Sequence, residues 1–255
     1  TAALLASAGR SVVVFDLDKR PELIVGESML PAVVPLLRRI GVEAEVRACS
    51  VHKPGASLTS EDRIYPFAFE AAMGEAPSYS YNVDRRDFDR ILRSAARRHG
   101  ATHVDLKATM ADDGRGGVEL TGECNDVARE ILDGPPDVIV DASGRHALIE
   151  RTLGLKSSLG SRNDVALFAH LDSATLEHKG HIHVDRLKHG WSWRIPLRDR
   201  TSVGLVVSRD HLARYGDTAA EQYDSMLNAF PRLAARVSGS RRLSSVLKYT
   251  NYQRH

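Results

Sequence analysis

The order of the first sixteen residues constrains the fold most. An apolar helical run, TAALLASA over Thr1–Ala8, is followed by Gly9 and by SVVVFD over Ser11–Asp16, which ends in a carboxylate. Glycine just past the last helical residue is a stop signal. The β-branched run after it reads as a buried strand. A helix feeding such a strand is the second half of a βαβ unit, whose first strand and Gly-rich turn would fall before Thr1. At the other end, Val246–Gln253 reads as a strand that halts near His255. The chain is therefore expected to be an internal piece of a longer protein. Asp16 stands where an acid would hydrogen-bond an adenosine ribose, and an ordinary capping aspartate is the equal alternative.

Downstream, Gly26-Glu27-Ser28 leads through Leu30-Pro31 into a helix over Val33–Ile40. Arg47–Ser60 reads as a strand, a Pro-Gly turn and a second strand, and Tyr79–Arg85 as extended. Arg86–Gly100 is an amphipathic helix with Phe88, Ile91, Leu92 and Ala95 on one face. Thr102–Met110 and Gly117–Glu123 alternate like an antiparallel meander. Pro136–Asp141 (PDVIVD) reads as a buried strand running into the tight turn Ala142-Ser143-Gly144. Asp164–Leu171, Gly180–Asp185, Gly190–Pro196 and Ser202–Val207 are strands in succession, hence a mostly antiparallel sheet. Ala219–Val237 has helical periodicity.

The 255 residues, 42% hydrophobic and 27% charged, suffice for one large or two small cores. A net charge of +2 with interleaved signs gives no nucleic-acid footprint. The pairs Arg85-Arg86, Arg97-Arg98 and Arg241-Arg242 read as solvated helix faces. Two distant cysteines, Cys49 and Cys124, argue for a reducing cytoplasm and against a disulfide framework or zinc cluster. No apolar stretch approaches the length of a transmembrane span. His181 and His183 alternate on one strand with His178 and His189 nearby, but no carboxylate or cysteine stands at ligand spacing beside them, so no metal is expected. Ser143 lacks a nucleophile elbow and reads as a turn former.

The string Gly190-Trp191-Ser192-Trp193-Arg194-Ile195-Pro196-Leu197 holds both tryptophans of the chain, two apart and so on one strand face. Pro196 ends the ladder donation there. Taken alone, the indoles read as core. The full string, WxWxIP, resembles the signature of flavin-dependent halogenases. Other segments are similar to the same family: Lys53-Pro54-Gly55-Ala56 to its KxGA segment, Asn82–Asp89 to its VxRxxFD segment, Asp137–Gly144 to its DASG turn, and the strand and loop from Ser11 through Gly26-Glu27-Ser28 to the flavin-side segment.

The resemblance implies an α/β fold of the class A flavin monooxygenase type. A FAD-binding Rossmann-like domain (1–45 and 82–155) would be interleaved with an antiparallel substrate-side sheet (46–81 and 156–210), and 211–255 would lead on into further chain. It implies FAD contacts at Asp16, Gly26, Glu27, Ser28, Arg85, Asp141 and Gly144, and Lys53 as the halogenating residue. The isoalloxazine supplies the redox chemistry and the protein supplies placement. Trp191, Trp193 and Pro196 would screen the flavin from the substrate, so that hypohalous acid made from chloride or bromide must travel to Lys53. Desolvation brings a lysine within reach of its amine form. Electrophilic halogenation implies an electron-rich phenol or pyrrole, free or carrier-protein-tethered, with reduced FAD from a separate flavin reductase. Three alternatives stay open. Lys53 in a Lys-Pro-Gly turn would ordinarily be exposed. Glu27 reads as a loop cap or, less simply, a base on the substrate. The chain could also be a FAD-dependent hydroxylase, an isoprenoid-type reductase or a non-catalytic flavin-binding module.

Overall fold

The computed structural model describes residues 1–17, 25–61, 63–72, 74–156, 160 and 162–250. Its elements in chain order are α1 (Ala2–Ser7), β1 (Val13–Phe15), α2 (Val33–Arg39), α3 (Glu43–Cys49), β2 (Ser50–Lys53), β3 (Gly55–Ser60), β4 (Arg63–Ala68), β5 (Ser80–Val83) and α4 (Arg85–Arg98). There follow β6 (Thr102–Val104), β7 (Met110–Asp112), β8 (Val118–Leu120), α5 (Gly122–Leu132), α6 (Leu148–Thr152) and β9 (Asp164–Leu171). The last are β10 (Ile182–Leu187), β11 (Gly190–Pro196), β12 (Thr201–Ser208), α7 (Arg209–Leu212), α8 (Ala219–Ala229), α9 (Pro231–Arg236) and β13 (Leu247–Thr250). They fall into two compact units, one within Thr1–Glu22 and Arg90–Gly160, the other within Leu23–Asp89 and Ser161–Gln253.

In the first unit β1 pairs in parallel with β6, Val14 opposite His103. The expected meander is therefore smaller than its sequence pattern suggests. Residues 102–104 belong to the parallel pair, and only β7 and β8 form an antiparallel hairpin. Glu123, placed at a strand end by alternation, lies in α5, because Thr121 starts a helix whose Cys124 and Ala128 are buried four residues apart. The strand expected at Pro136–Asp141 is absent. No described strand pairs with it, and Val138 and Val140 are 75% and 56% exposed. An apolar run forms a strand only where a ladder partner takes its backbone groups. Asp141 and Gly144 make a capped turn: the carboxylate accepts the N–H of Ser143 and Ile149, and Gly144 starts a short 3₁₀ turn.

The second unit is built on a seven-stranded sheet in the order β13-β9-β12-β11-β10-β3-β4. Every pairing is antiparallel except β10 with β3. One face buries Val165, Leu167, Ala169, Val203, Leu205 and Val207 under Leu212 of α7, Tyr223, Met226 and Leu227 of α8 and Leu233 of α9. Each such side chain contributes about 1.5–3 kcal/mol on burial. The Tyr223 hydroxyl donates to the Val203 carbonyl, and Thr218 with Glu221 closes a capping box on α8. The four consecutive strands are thus as expected, although β10 starts at Ile182 rather than Gly180. Residues 47–60 divide differently from their pattern. Arg47–Cys49 end α3, and β2 and β3 lie in different sheets, β2 pairing with β5 and β3 with β4 and β10. The compact units also cut the chain differently from the sequence boundaries, since α2, α3, β5 and the start of α4 fall within the unit of the large sheet.

Candidate active site

Alternation on β11 places Trp191, Trp193 and Ile195 on the sheet face away from α8. The indole centroids are 5.6 Å apart, and Phe168 packs 6.0 Å from Trp193. Leu197, Ile182, Leu247 and Tyr249 complete the cluster. Trp193 Nε1 donates to Ser202 Oγ at 3.2 Å, which satisfies the buried indole N–H. Pro196 points to the opposite face with Ser192 and Arg194, so it closes the strand without joining the indole wall.

Lys53 ends β2 and is only 3% exposed. Its Nζ donates to the Met29 carbonyl at 2.8 Å and stands 5.1 Å from the Phe69 ring centroid. Burial lowers its pKa to about 8. The ordinary exposed-turn reading of Lys-Pro-Gly does not hold here, because β2 carries the side chain inward. Phe69 meets Phe67 edge-on at 6.1 Å, and Phe67, Tyr65 and Leu58 lie exposed on the outer strands. Their register, Leu58 opposite both Val184 and Tyr65, with Val184 opposite Trp193, puts this apolar surface on the indole face.

Residues 25–29 run beside β5 and tie these parts together. Met29 N–H donates to Tyr81, and Val83 N–H donates to Glu27. Ser28 Oγ donates to Asn82 Oδ1, whose amide in turn donates to the Gly180 carbonyl. Arg85 donates to the Val25 carbonyl at 2.8 Å and pairs with Asp89. Gly26 is required for that approach, since its φ is +101° and a Cβ there would stand 2.8 Å from Arg85 Nη1. Among the described residues the Glu27 carboxylate caps no backbone N–H. It is buried and lies 2.7 Å from His170 Nε2, on the same face of β9 as Phe168. His170 Nδ1 in turn receives the Nε–H of Arg200 at 3.0 Å, and Arg200 pairs with Asp84. Asp84 and Arg200 line a polar cavity of about 440 Å³ with Arg86, Asp87, Arg198 and Asp199, Cys49 and Leu197 completing its wall.

The opposite sheet face carries the histidines. His178, His181 and His183 stack, with His178 5.3 Å from His181 and 6.1 Å from His183, and Ser57 Oγ lies 2.9 Å from His181 Nδ1. The Nδ1 atoms of His178 and His181 both face Ser57 Oγ, at 3.1 and 2.9 Å. Among the described residues no group of three or more His, Cys, Asp or Glu is arranged to hold a metal ion. Beside them the fully buried Arg194 pairs with Asp185 and Glu177, which also share Arg236. Burial lowers the pKa of both His181 and His183.

In the first unit Asp16 follows β1, its backbone N–H bound to Val104 and its carboxylate 3.7 Å from Arg93. Residues 18–24, part of the segment similar to the flavin-side loop, and 251–253 of the expected last strand lie outside the described residues.

A family model described as tryptophan halogenase matches residues 53–244, the greater part of the chain. The chain belongs to the tryptophan halogenase family. Among curated relatives, this halogenase-family chain is 28% identical, over 98% of its length, to a 1H-pyrrole-2-carbonyl-[peptidyl-carrier protein] chlorinase of Pseudomonas fluorescens. It is 30% identical, over 90% of its length, to a tryptophan 2-halogenase of Chondromyces crocatus. It spans 62% and 45% of these two proteins. The crystal structure of the flavin-dependent halogenase CmlS superposes with a TM-score of 0.82 at 26% identity, over 99% of this chain and 48% of that one. The expected α/β flavoprotein-type fold is thus established. Within it, the structure brings Gly26, Glu27, Ser28, Arg85 and Lys53 to one segment, with Trp191 and Trp193 on the sheet face that His170 shares. Met29, His170 and Arg200 carry that arrangement with Asn82 and bear no sequence signal, because their partners lie far away in the chain.

Proposed function

We propose that this chain is the core of a flavin-dependent halogenase acting on an electron-rich aromatic ring, a phenol or pyrrole, free or carrier-bound. The observation that carries the reading is the buried Lys53 amine with its depressed pKa, seated on a backbone carbonyl beside an exposed aromatic surface. Each unit taken by itself offers groups that suit part of a flavin nucleotide. In the first, Asp16 offers a partly exposed carboxylate that suits ribose hydroxyls. In the second, Arg85, 28% exposed, offers guanidinium N–H groups beside Gly26 that suit a phosphate. Asp141 and Gly144 would serve by holding the turn after residue 140. When bound, reduced FAD supplies the oxidation of chloride or bromide by oxygen, yielding hypohalous acid.

The protein's own residues then act on that oxidant. Trp191 and Trp193 present a rigid apolar wall that a ring-sized substrate does not cross. Lys53 donates to the hypohalous oxygen, or as the amine takes the halogen. In the second case an N–halogen bond forms, the oxygen–halogen bond breaks, and the amine proton leaves with hydroxide as water. Tyr65, Phe67 and Phe69 offer an apolar platform for the aromatic substrate. A separate flavin reductase would supply the reduced cofactor. No helix among the described residues is long and apolar enough to cross a membrane, and two cysteines far apart in the sequence, Cys49 and Cys124, favour a cytoplasmic location. In the full-length protein, Lys53→Ala should abolish halogenated product while flavin oxidation continues. Retained product would remove Lys53 from the mechanism, and an added oxygen or hydrogen in place of bromine, read by mass spectrometry in bromide, would overturn the halogenase reading.

A further inference from the structure

Glu27, His170, Arg200 and Asp84 form one line of contacts whose polarity the chemistry of its members sets. Arginine carries no acceptor, so the Nε–H of Arg200 makes His170 Nδ1 the acceptor at 3.0 Å. A neutral imidazole has a single proton, which must then sit on Nε2, pointing at Glu27 Oε1 2.7 Å away. That contact suits an ionised carboxylate. A protonated Glu27 donating to Nε2 would move the ring proton to Nδ1, against the Arg200 N–H. Glu27 and His170 are 3% and 4% exposed, and a buried carboxylate persists as a charge only where hydrogen bonds and a cation compensate it. Here the cation is Arg200, acting through the ring while it also holds Asp84.

Glu27 opens the strip of backbone that ends in the Lys53 seat. Its carbonyl accepts from Val83, and two residues on, the Met29 carbonyl accepts the amine. We infer that His170 is a positioning residue for the Lys53 site: fixed as the Nε2–H tautomer by Arg200, it holds the Glu27 carboxylate on the indole face and so sets the register of residues 27–29 under the amine. This rests on the halogenase reading above. It assigns a part to His170 and Arg200, neither of which touches the amine.

The test uses the full-length protein with FAD. His170→Phe keeps a ring of similar size and removes both contacts. It should lower halogenated product per flavin oxidised by about tenfold or more, with flavin oxidation and the KM for the aromatic substrate unchanged. His170→Gln can give an amide N–H to Glu27 and take the Arg200 N–H on its carbonyl, and should restore most of the product. ¹⁵N NMR of the wild-type protein should show that the neutral His170 imidazole carries its proton on Nε2 and leaves Nδ1 bare. A neutral ring with its proton on Nδ1 overturns the inference even if the Phe variant fails to fold. So does an unchanged product ratio in His170→Phe, or a His170→Gln no better than His170→Phe. Loss of product in Lys53→Ala together with full product in His170→Phe would defeat the positioning role alone, whereas product retained in Lys53→Ala would defeat the underlying reading.

Discussion

The indole of Trp193 lies across the backbone of Gly204 on the neighbouring strand, so closely that a Cβ at 204 would stand 2.1 Å from ring carbon Cζ2. The wall formed by the two tryptophans therefore depends on a residue with no side chain, on a different strand. Gly204→Ala should push the ring against Phe168 and cost about 1–3 kcal/mol. Denaturant unfolding measures the cost, and the near-ultraviolet circular dichroism of the indoles should change with it. Unaltered stability and spectrum would mean that the ring has room the structure does not show.

Lys53 leaves a signature in stability against pH. Its folded pKa, about 8, lies below its ordinary value of 10.5, so the unfolded chain holds the proton more tightly between those values. Stability from this group therefore rises with pH across that window and is least below it. Lys53→Met, of similar length and without charge, should be more stable at pH 7 by roughly 1–3 kcal/mol and should lack that rise. Tyr81 and Tyr223, whose phenols burial raises, lose stability at the alkaline end in both proteins, so the difference between the two curves isolates Lys53. Parallel curves would show that residue 53 titrates in water.

Ser80 stands opposite Lys53 in the β2–β5 ribbon, fully buried, and its hydroxyl has no hydrogen-bond partner among the described residues. An unsatisfied buried hydroxyl costs stability, so its removal is expected to help. Ser80→Ala should raise stability by about 1 kcal/mol, read as a higher denaturant midpoint at unchanged slope. A lower midpoint would reveal a partner for the hydroxyl, such as an ordered water.

Legibility in the sequence followed the range of the interactions. The strands at 164–171, 190–196 and 201–208 and the helices at 33–39, 219–229 and 231–236 were readable because their periodicity is local, although the break at Phe230 between the last two was not. The failure at Pro136–Asp141 has the same root. The run has the composition of a strand, but a strand is a pairing, and no described segment pairs with it. Residues 47–60 misled for a similar reason, since two adjacent strands joined by Pro-Gly belong to different sheets.

Spacing and local pattern were enough to place both indoles on one strand face and to class the chain as α/β with an antiparallel sheet, whereas Lys53 was marked by its resemblance to the KxGA segment of flavin-dependent halogenases. They could not show that Glu27 reaches across 143 residues to His170 or that Met29 offers its carbonyl to the amine. Side-chain period is written in neighbouring residues. Burial, proton position and the seat of a charge come from groups that meet only after the sheet has formed, and no local pattern encodes which groups those will be.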